Sequence, residues 1–237
     1  MYSGIGIYTL AEAARLVRVP ARSIGRWLYG YGYTHKANDE KRVYHSDPLW
    51  APEYAPDVLG EKVLGFRDLL EIRVVREFVS HGVPLLVVRR CLDTAKQMFG
   101  TDYPLTANRF ATDGRTIFVD VVRNGAEREM VDLRNRQLVF RDIIKPSLYT
   151  GIEYEGRYAR RWYPEGGKQR SIVIDPQRQF GKPIVVDDAV PTEALYSNFK
   201  AEGGDKVAIG LVAKIFEVPV RKVQAAIRFE ESLRQVA

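Results

Sequence analysis

The sequence predicts an α+β protein with a pair of helices at each end and a β-rich stretch between them. Three observations lead there. Apolar residues recur at helical spacing near both termini, the period changes to two from about residue 107, and glycines and prolines fall at the junctions between these segments. The chain has 237 residues and is 46% hydrophobic, enough for one to three small domains with real cores. No run approaches the roughly 18 apolar residues of a membrane span, and the N-terminus lacks the pattern of a signal peptide. A single cysteine, Cys91, permits no internal disulfide, so a cytoplasmic location is expected. The net charge of +6 suits nucleic acid, as it suits many unrelated proteins.

The first element is set by Thr9 and Glu12, spaced as a capping box. Leu10, Ala13, Ala14 and Val17 continue at helical spacing. Val19-Pro20 then makes a corner into a second helix over residues 21–29, whose apolar side is Ile24, Trp27 and Leu28. Apart from Glu12, the charges here are Arg15, Arg18, Arg22 and Arg26. Arg22, Ser23 and Arg26 stand at the start and solvent side of the second helix, where a recognition helix meets a major groove. A solvated helical hairpin would carry the same arginines without a ligand. The plan recurs without a gap: residues 10–28 overlay 209–227, with Val19-Pro20 on Val218-Pro219 and Arg22 on Arg221. Such a recurrence supports a shared fold more than a shared function.

A glycine- and tyrosine-rich exit (Tyr29-Gly30-Tyr31-Gly32-Tyr33) leads to a polar loop that closes on Arg42-Val43-Tyr44. With the basic second helix, this stretch resembles the winged helix-turn-helix of MerR-type regulators. The resemblance implies that Arg42 and Tyr44 lie against the DNA backbone. The chain departs from that family by an insertion over residues 46–65 and by lacking a long dimerisation coiled coil.

Residues 66–81 read as an amphipathic helix stopped by Gly82, and Pro84 opens another that stops at Gly100. Arg73, Arg76, Arg89 and Arg90 are expected on its solvated face. A small antiparallel β-meander is predicted next. Its turns are Thr112-Asp113-Gly114-Arg115 and Arg123-Asn124-Gly125-Ala126, with Ile117, Phe118, Val119 and Val121 in strand, and it continues through Leu138-Val139-Phe140 and from Ile152 to Trp162-Tyr163. Arg157, Tyr158, Arg160, Arg161 and Trp162 interleave cations with rings. Such a strand more often turns its rings inward than binds a ligand.

Residues 164–168 are the linker candidate. Beyond them come a strand over 171–175, an extended stretch at Gly181 to Val185, a helix over 192–202, a helix capped by Asp205, and a last helix over 220–233. The expected domains are 1–104, a winged helix-turn-helix with its helical hairpin; 105–164, the meander and a candidate dimerisation region; and 171–237, a three-helix, helix-turn-helix-like domain with a β arm. The last is similar to a small domain of bacterial antitoxins paired with PIN-like ribonuclease toxins, on the strength of the Asp175-Pro176 strand end, Gly181-Lys182-Pro183-Ile184-Val185 and the helices that follow. That domain's usual Gly-Thr-Arg-Ile-Pro-Val segment is absent, and Val186 to Thr192 stands in its place. The whole chain resembles long VapB-type antitoxins.

Signatures of catalysis are missing. His35, His45 and His81 share no ligand spacing, Cys91 has no neighbouring ligand, and no nucleotide loop or nucleophile elbow occurs. No enzyme activity, metal or cofactor is expected. The resemblances imply an antitoxin and autorepressor that binds double-stranded operator DNA as a homodimer through Arg22, Ser23, Arg26, Arg42 and Tyr44. They also imply a PIN-like toxin partner, its acidic site met by Arg221, Lys222 or Arg228. A stand-alone MerR-like regulator with a small-molecule or protein effector is the other reading.

Overall fold

The computed structural model describes residues 5–37, 40–55, 60–107, 109–110, 114–118, 121, 149–166 and 170–234. These fall into two units, one of Tyr8–Leu148 and one of Met1–Ile7 with Tyr149–Ala237. The class is α+β, with helices alongside small antiparallel sheets. No described helix is long and apolar enough to cross a membrane.

The first unit opens with strand β1 (Tyr8–Thr9), helix α1 (Leu10–Val17) and helix α2 (Ala21–Tyr29). The capping box forms as expected. The Glu12 amide donates to the Thr9 hydroxyl at 3.2 Å, and the Thr9 amide donates back to the Glu12 carboxylate at 2.8 Å. Arg18 ends α1 in the left-handed region, and the two helices bury Ala13, Val17, Ile24, Trp27 and Leu28. Strands β2 (Tyr31–Ala37) and β3 (Glu40–Ser46) form the antiparallel wing hairpin.

The insertion after the wing is part of the core rather than an appendage. Leu49, Trp50 and Tyr54 are buried. The Leu49 amide donates to the Trp27 carbonyl at 2.7 Å, and strand β4 (Val63–Leu64) pairs with β1. Helices α3 (Phe66–Ser80) and α4 (Leu85–Phe99) follow as expected, with Gly82 and Gly100 both at positive φ where the helices stop. Two arginines assigned to their solvated face have internal tasks instead. Arg76 donates to the Val17 carbonyl at 2.8 Å and pairs with Glu77, and Arg89 donates to the carbonyls of Asp47 and Pro48 at 2.6 Å each. Long cations satisfy loop and helix-end carbonyls that periodicity alone leaves unassigned.

Described residues near the start of the predicted meander are helical. Residues 114–118 have helical backbone, as has Val121, so Asp113-Gly114 does not carry the expected hairpin turn into an Ile117–Phe118 strand. The reason lies in burial. Gly114, Ile117, Phe118 and Val121 are all buried while Arg115 and Thr116 are exposed, a helical spacing that β-branched composition obscured. Phe118 stacks on Phe78 of α3 with ring centroids 6.4 Å apart. The expected turn at Arg123 to Ala126 and the strand at Leu138 to Phe140 lie outside the described residues.

In the second unit, β5 (Ile152–Glu155), β6 (Tyr158–Trp162), β7 (Ile172–Ile174) and β8 (Pro183–Val185) form one antiparallel sheet in that order. Strands from both sides of the expected linker at 164–168 thus share a sheet, with Trp162 paired to Ile174. Of that patch, Trp162 is buried, Tyr158 is exposed and Arg161 is held by Glu153 at 2.6 Å. Helices α5 (Thr192–Ala201), α6 (Lys206–Ile215) and α7 (Val220–Arg234) complete the unit. Asp205 caps α6 by accepting from the amides of Val207 and Ala208 at 2.8 and 2.9 Å.

The first unit buries a set of carboxyls. Asp68 accepts from the Trp50 indole at 2.8 Å and the amides of Glu53 and Gly65 at 2.9 and 3.0 Å. Glu71 accepts from the Thr106 amide at 2.9 Å and hydroxyl at 2.8 Å, and from the Leu105 amide at 3.3 Å. Burial pushes the Glu71 carboxyl up to about 8. Burial, and next the charge of Asp68, push Glu53 up to about 7. Carboxyls raised by folding stabilise the fold fully below their unfolded values near 4, and that contribution is lost as pH rises through 7 to 8. The thermal midpoint is therefore expected to fall between pH 5 and 8. Glu53→Gln and Glu71→Gln should each flatten the slope, and a profile unchanged in both variants would contradict the assignment.

Candidate nucleic-acid interface

Helix α2 positions the expected readers. Ile24, Trp27 and Leu28 anchor its inner side, which turns Arg22 and Arg26, four residues apart, to solvent. Ser23 is half-buried and its amide donates to the Pro20 carbonyl at 2.8 Å. Tyr29 is fastened to β4 through its hydroxyl, which donates to the Val63 carbonyl at 2.6 Å. Burial first, and the charge of Asp68 second, raise this phenol to about 12.

Gly30 carries the chain from α2 into the wing at φ 69°, and a Cβ there would stand 2.5 Å from the Ser46 carbonyl oxygen. Only glycine fits so close an approach. In the hairpin, Tyr31 faces Ser46, Tyr33 faces Tyr44 and His35 faces Arg42. Tyr31, Tyr33, Tyr44 and Arg42 therefore occupy one face of the ribbon. The Tyr31 and Tyr33 rings lie 5.8 Å apart, and Tyr33 stacks on Tyr44 at 5.5 Å with 20° between planes. The Arg26 guanidinium sits over the Tyr31 ring, 4.8 Å from its centroid. Tyr33 and Tyr44 are 47% and 42% exposed on the outer face of the ribbon. Four of the five expected residues thus lie on exposed surfaces of α2 and the wing, and Ser23 is set slightly in. Tyr31 and Tyr33 were missed as members of the site. The alternation Tyr31-Gly-Tyr33 opposite Tyr44 was the available signal.

The C-terminal repeat has another surface. The position matching Arg26 is Ala225, which is 1% exposed. The position matching Ser23 is Lys222, whose ammonium donates to the Val186 carbonyl at 2.6 Å and to Asp188 and Asp187 at 2.5 and 3.3 Å. Lys222 thereby holds the loop in which Asp187 and Ala189 take left-handed backbone. Arg221 and Arg228 are exposed. Helix α7 is clamped to α5 by Thr192, which donates to Glu230 at 2.6 Å, and by Arg234 over the Tyr196 ring at 4.0 Å. Beside these cations the repeat exposes apolar side chains: Val207, Leu211 and Ile215 at successive fourth positions of α6, with Val220 beyond the corner.

These features define a two-unit α+β protein, one unit with a helix pair followed by a two-stranded hairpin and the other with helices beside a small antiparallel sheet. No family model matches the chain. It is similar to a Mycobacterium tuberculosis protein named "Putative antitoxin VapB45", with 26% identity over 202 residues that cover 76% of this chain and 77% of that protein. The crystal structure of Rv2018, also from Mycobacterium tuberculosis, matches 96% of this chain and 100% of its own with a TM-score of 0.68. At 20% identity that second likeness is one of fold.

Replacing Lys222 with methionine should lower stability by about 1–3 kcal/mol, since it leaves the Val186 carbonyl and Asp188 without their charged donor. Denaturant titration of Lys222→Met checks this, and an unchanged midpoint would contradict it.

Proposed function

We propose that the protein is an antitoxin that represses its own operon. The N-terminal unit binds operator DNA, and the C-terminal unit holds a PIN-like ribonuclease toxin. One observation carries the DNA reading: Arg26 of α2 lies over Tyr31, the first ring of the row that continues to Tyr33 and Tyr44, so helix and wing share one cationic and aromatic surface. In this reading α2 enters a major groove, Arg22 and Arg26 reach base edges, Ser23 makes a polar contact, and Arg42 and Tyr44 rest on phosphates. One head spans few base pairs, so two copies bind an inverted repeat. The likeness to the VapB45 protein supports the antitoxin role. The exposed apolar residues of α6, with Arg221 and Arg228 on α7, supply a surface suited to protein rather than to duplex.

Two measurements test these assignments. Arg26→Ala should cost roughly 1–3 kcal/mol on operator DNA and relax specificity at one base pair, whereas Arg42→Ala should weaken all duplexes alike and reduce the salt slope by about one. Equal losses on operator and random DNA for both variants would refute the division of roles. Co-expression with the product of the adjacent reading frame should yield a complex whose nuclease activity is suppressed. Leu211→Asp on α6 should release that partner while leaving operator binding intact.

A further inference from the structure

We propose that Tyr31 is the positioning residue for Arg26, and that the pair reads a guanine in each half-site. The proposal rests on the DNA-binding reading above. A lone arginine at the end of a helix samples many rotamers, and ordering it on contact opposes binding. Arg26 is ordered beforehand. The backbone turns at Gly30 so tightly against Ser46 that Tyr31 returns beside the last turn of α2, and its ring meets the guanidinium 4.8 Å from the centroid. Tyr31 is itself braced by Tyr33, and Tyr33 by Tyr44. The wing therefore acts as a rigid rest for the reading side chain, and α2 and the ribbon approach the duplex as one body.

The chemistry selects the base. A guanidinium held through its face keeps its in-plane N–H fork free, and that fork matches the paired acceptors O6 and N7 of guanine. Arg22 is different. Among the described residues it has neither a ring beneath it nor a carboxylate beside it, so it is the adaptable contact and tolerates more than one base. Specificity is thus unequal between two arginines on the same helical face, and Tyr31, which touches no base, sets the difference.

The test uses the full chain, a pool of random duplexes, and the variants Tyr31→Phe, Tyr31→Leu and Arg26→Lys. Selection with the wild type should recover a position where guanine is preferred, and Tyr31→Phe, which keeps the ring, should retain it. Tyr31→Leu should lower that preference at least fivefold, a larger loss than it causes on random duplex. Arg26→Lys should lose it to a similar degree, and the double variant should lose no more than either alone. Without DNA, the Arg26 Hδ resonances should be shifted by the ring current in wild type and Tyr31→Phe and normal in Tyr31→Leu. Retained guanine preference in a Tyr31→Leu protein whose ring-current shift is gone would overturn the proposal and leave the DNA reading standing. A wild-type protein that binds no duplex would overturn both.

Discussion

The carboxylate of Asp68 is the interaction on which the N-terminal unit depends. It sits at the start of α3, fully buried, and gathers three donors: the indole of Trp50 and the amide of Glu53 from the insertion, and the amide of Gly65 at the helix start. An anion near a helix N-terminus is favoured by the free amides there, and Gly65 supplies one of them. The same contacts fold the insertion back on the helix pair, so that Leu49 can bond to Trp27 and β4 can pair with β1. Burial raises the carboxyl even so, which marks how costly its charge is in that site and why all three donors are needed.

On this base α2 becomes a platform with one side locked. Trp27 is held from below by Leu49, and Tyr29 by β4. The outer side of α2 carries the exposed Arg22 and Arg26, the latter against the wing. The wing is not an independent flap, because the close approach at Gly30 and the ring row from Tyr31 to Tyr44 bind it to the helix end. Arg26 and the ring row lie together, while Glu12, the acidic residue of the helix pair, is engaged by Thr9 in the capping box.

The two helix-turn-helix copies show how one backbone plan is turned to different ends by a few side chains. Both corners are Val-Pro, and both second helices begin near an arginine. In the first copy the outer face carries Arg22 and Arg26. In the second, alanine replaces the latter arginine and is buried, lysine is drawn into a loop, and apolar residues come to the surface on the preceding helix. Of the two outer arginine positions, the second copy keeps one as the exposed Arg221 and has a buried alanine at the other.

Local chemistry determined much of this protein from the sequence alone. The capping box of Thr9 and Glu12, the stops at Gly82 and Gly100, the cap at Asp205 and the exposure of Arg22 and Arg26 all follow from neighbours within one or two turns, so their signals are written in order along the chain. Tertiary structure decided what depends on distant partners. Residues 114–118 include β-branched and aromatic side chains, yet their backbone is helical, with Phe118 packed on Phe78 and burial at 114, 117 and 118. Arg76, Arg89 and Lys222 look like surface charges until the carbonyls of Val17, Pro48 and Val186 arrive beside them. Tyr31 becomes part of the candidate site only when the turn at Gly30 lays its ring under Arg26. Spacing shows which face a side chain occupies, but a long side chain's partner is chosen by whatever the fold brings within reach of its end.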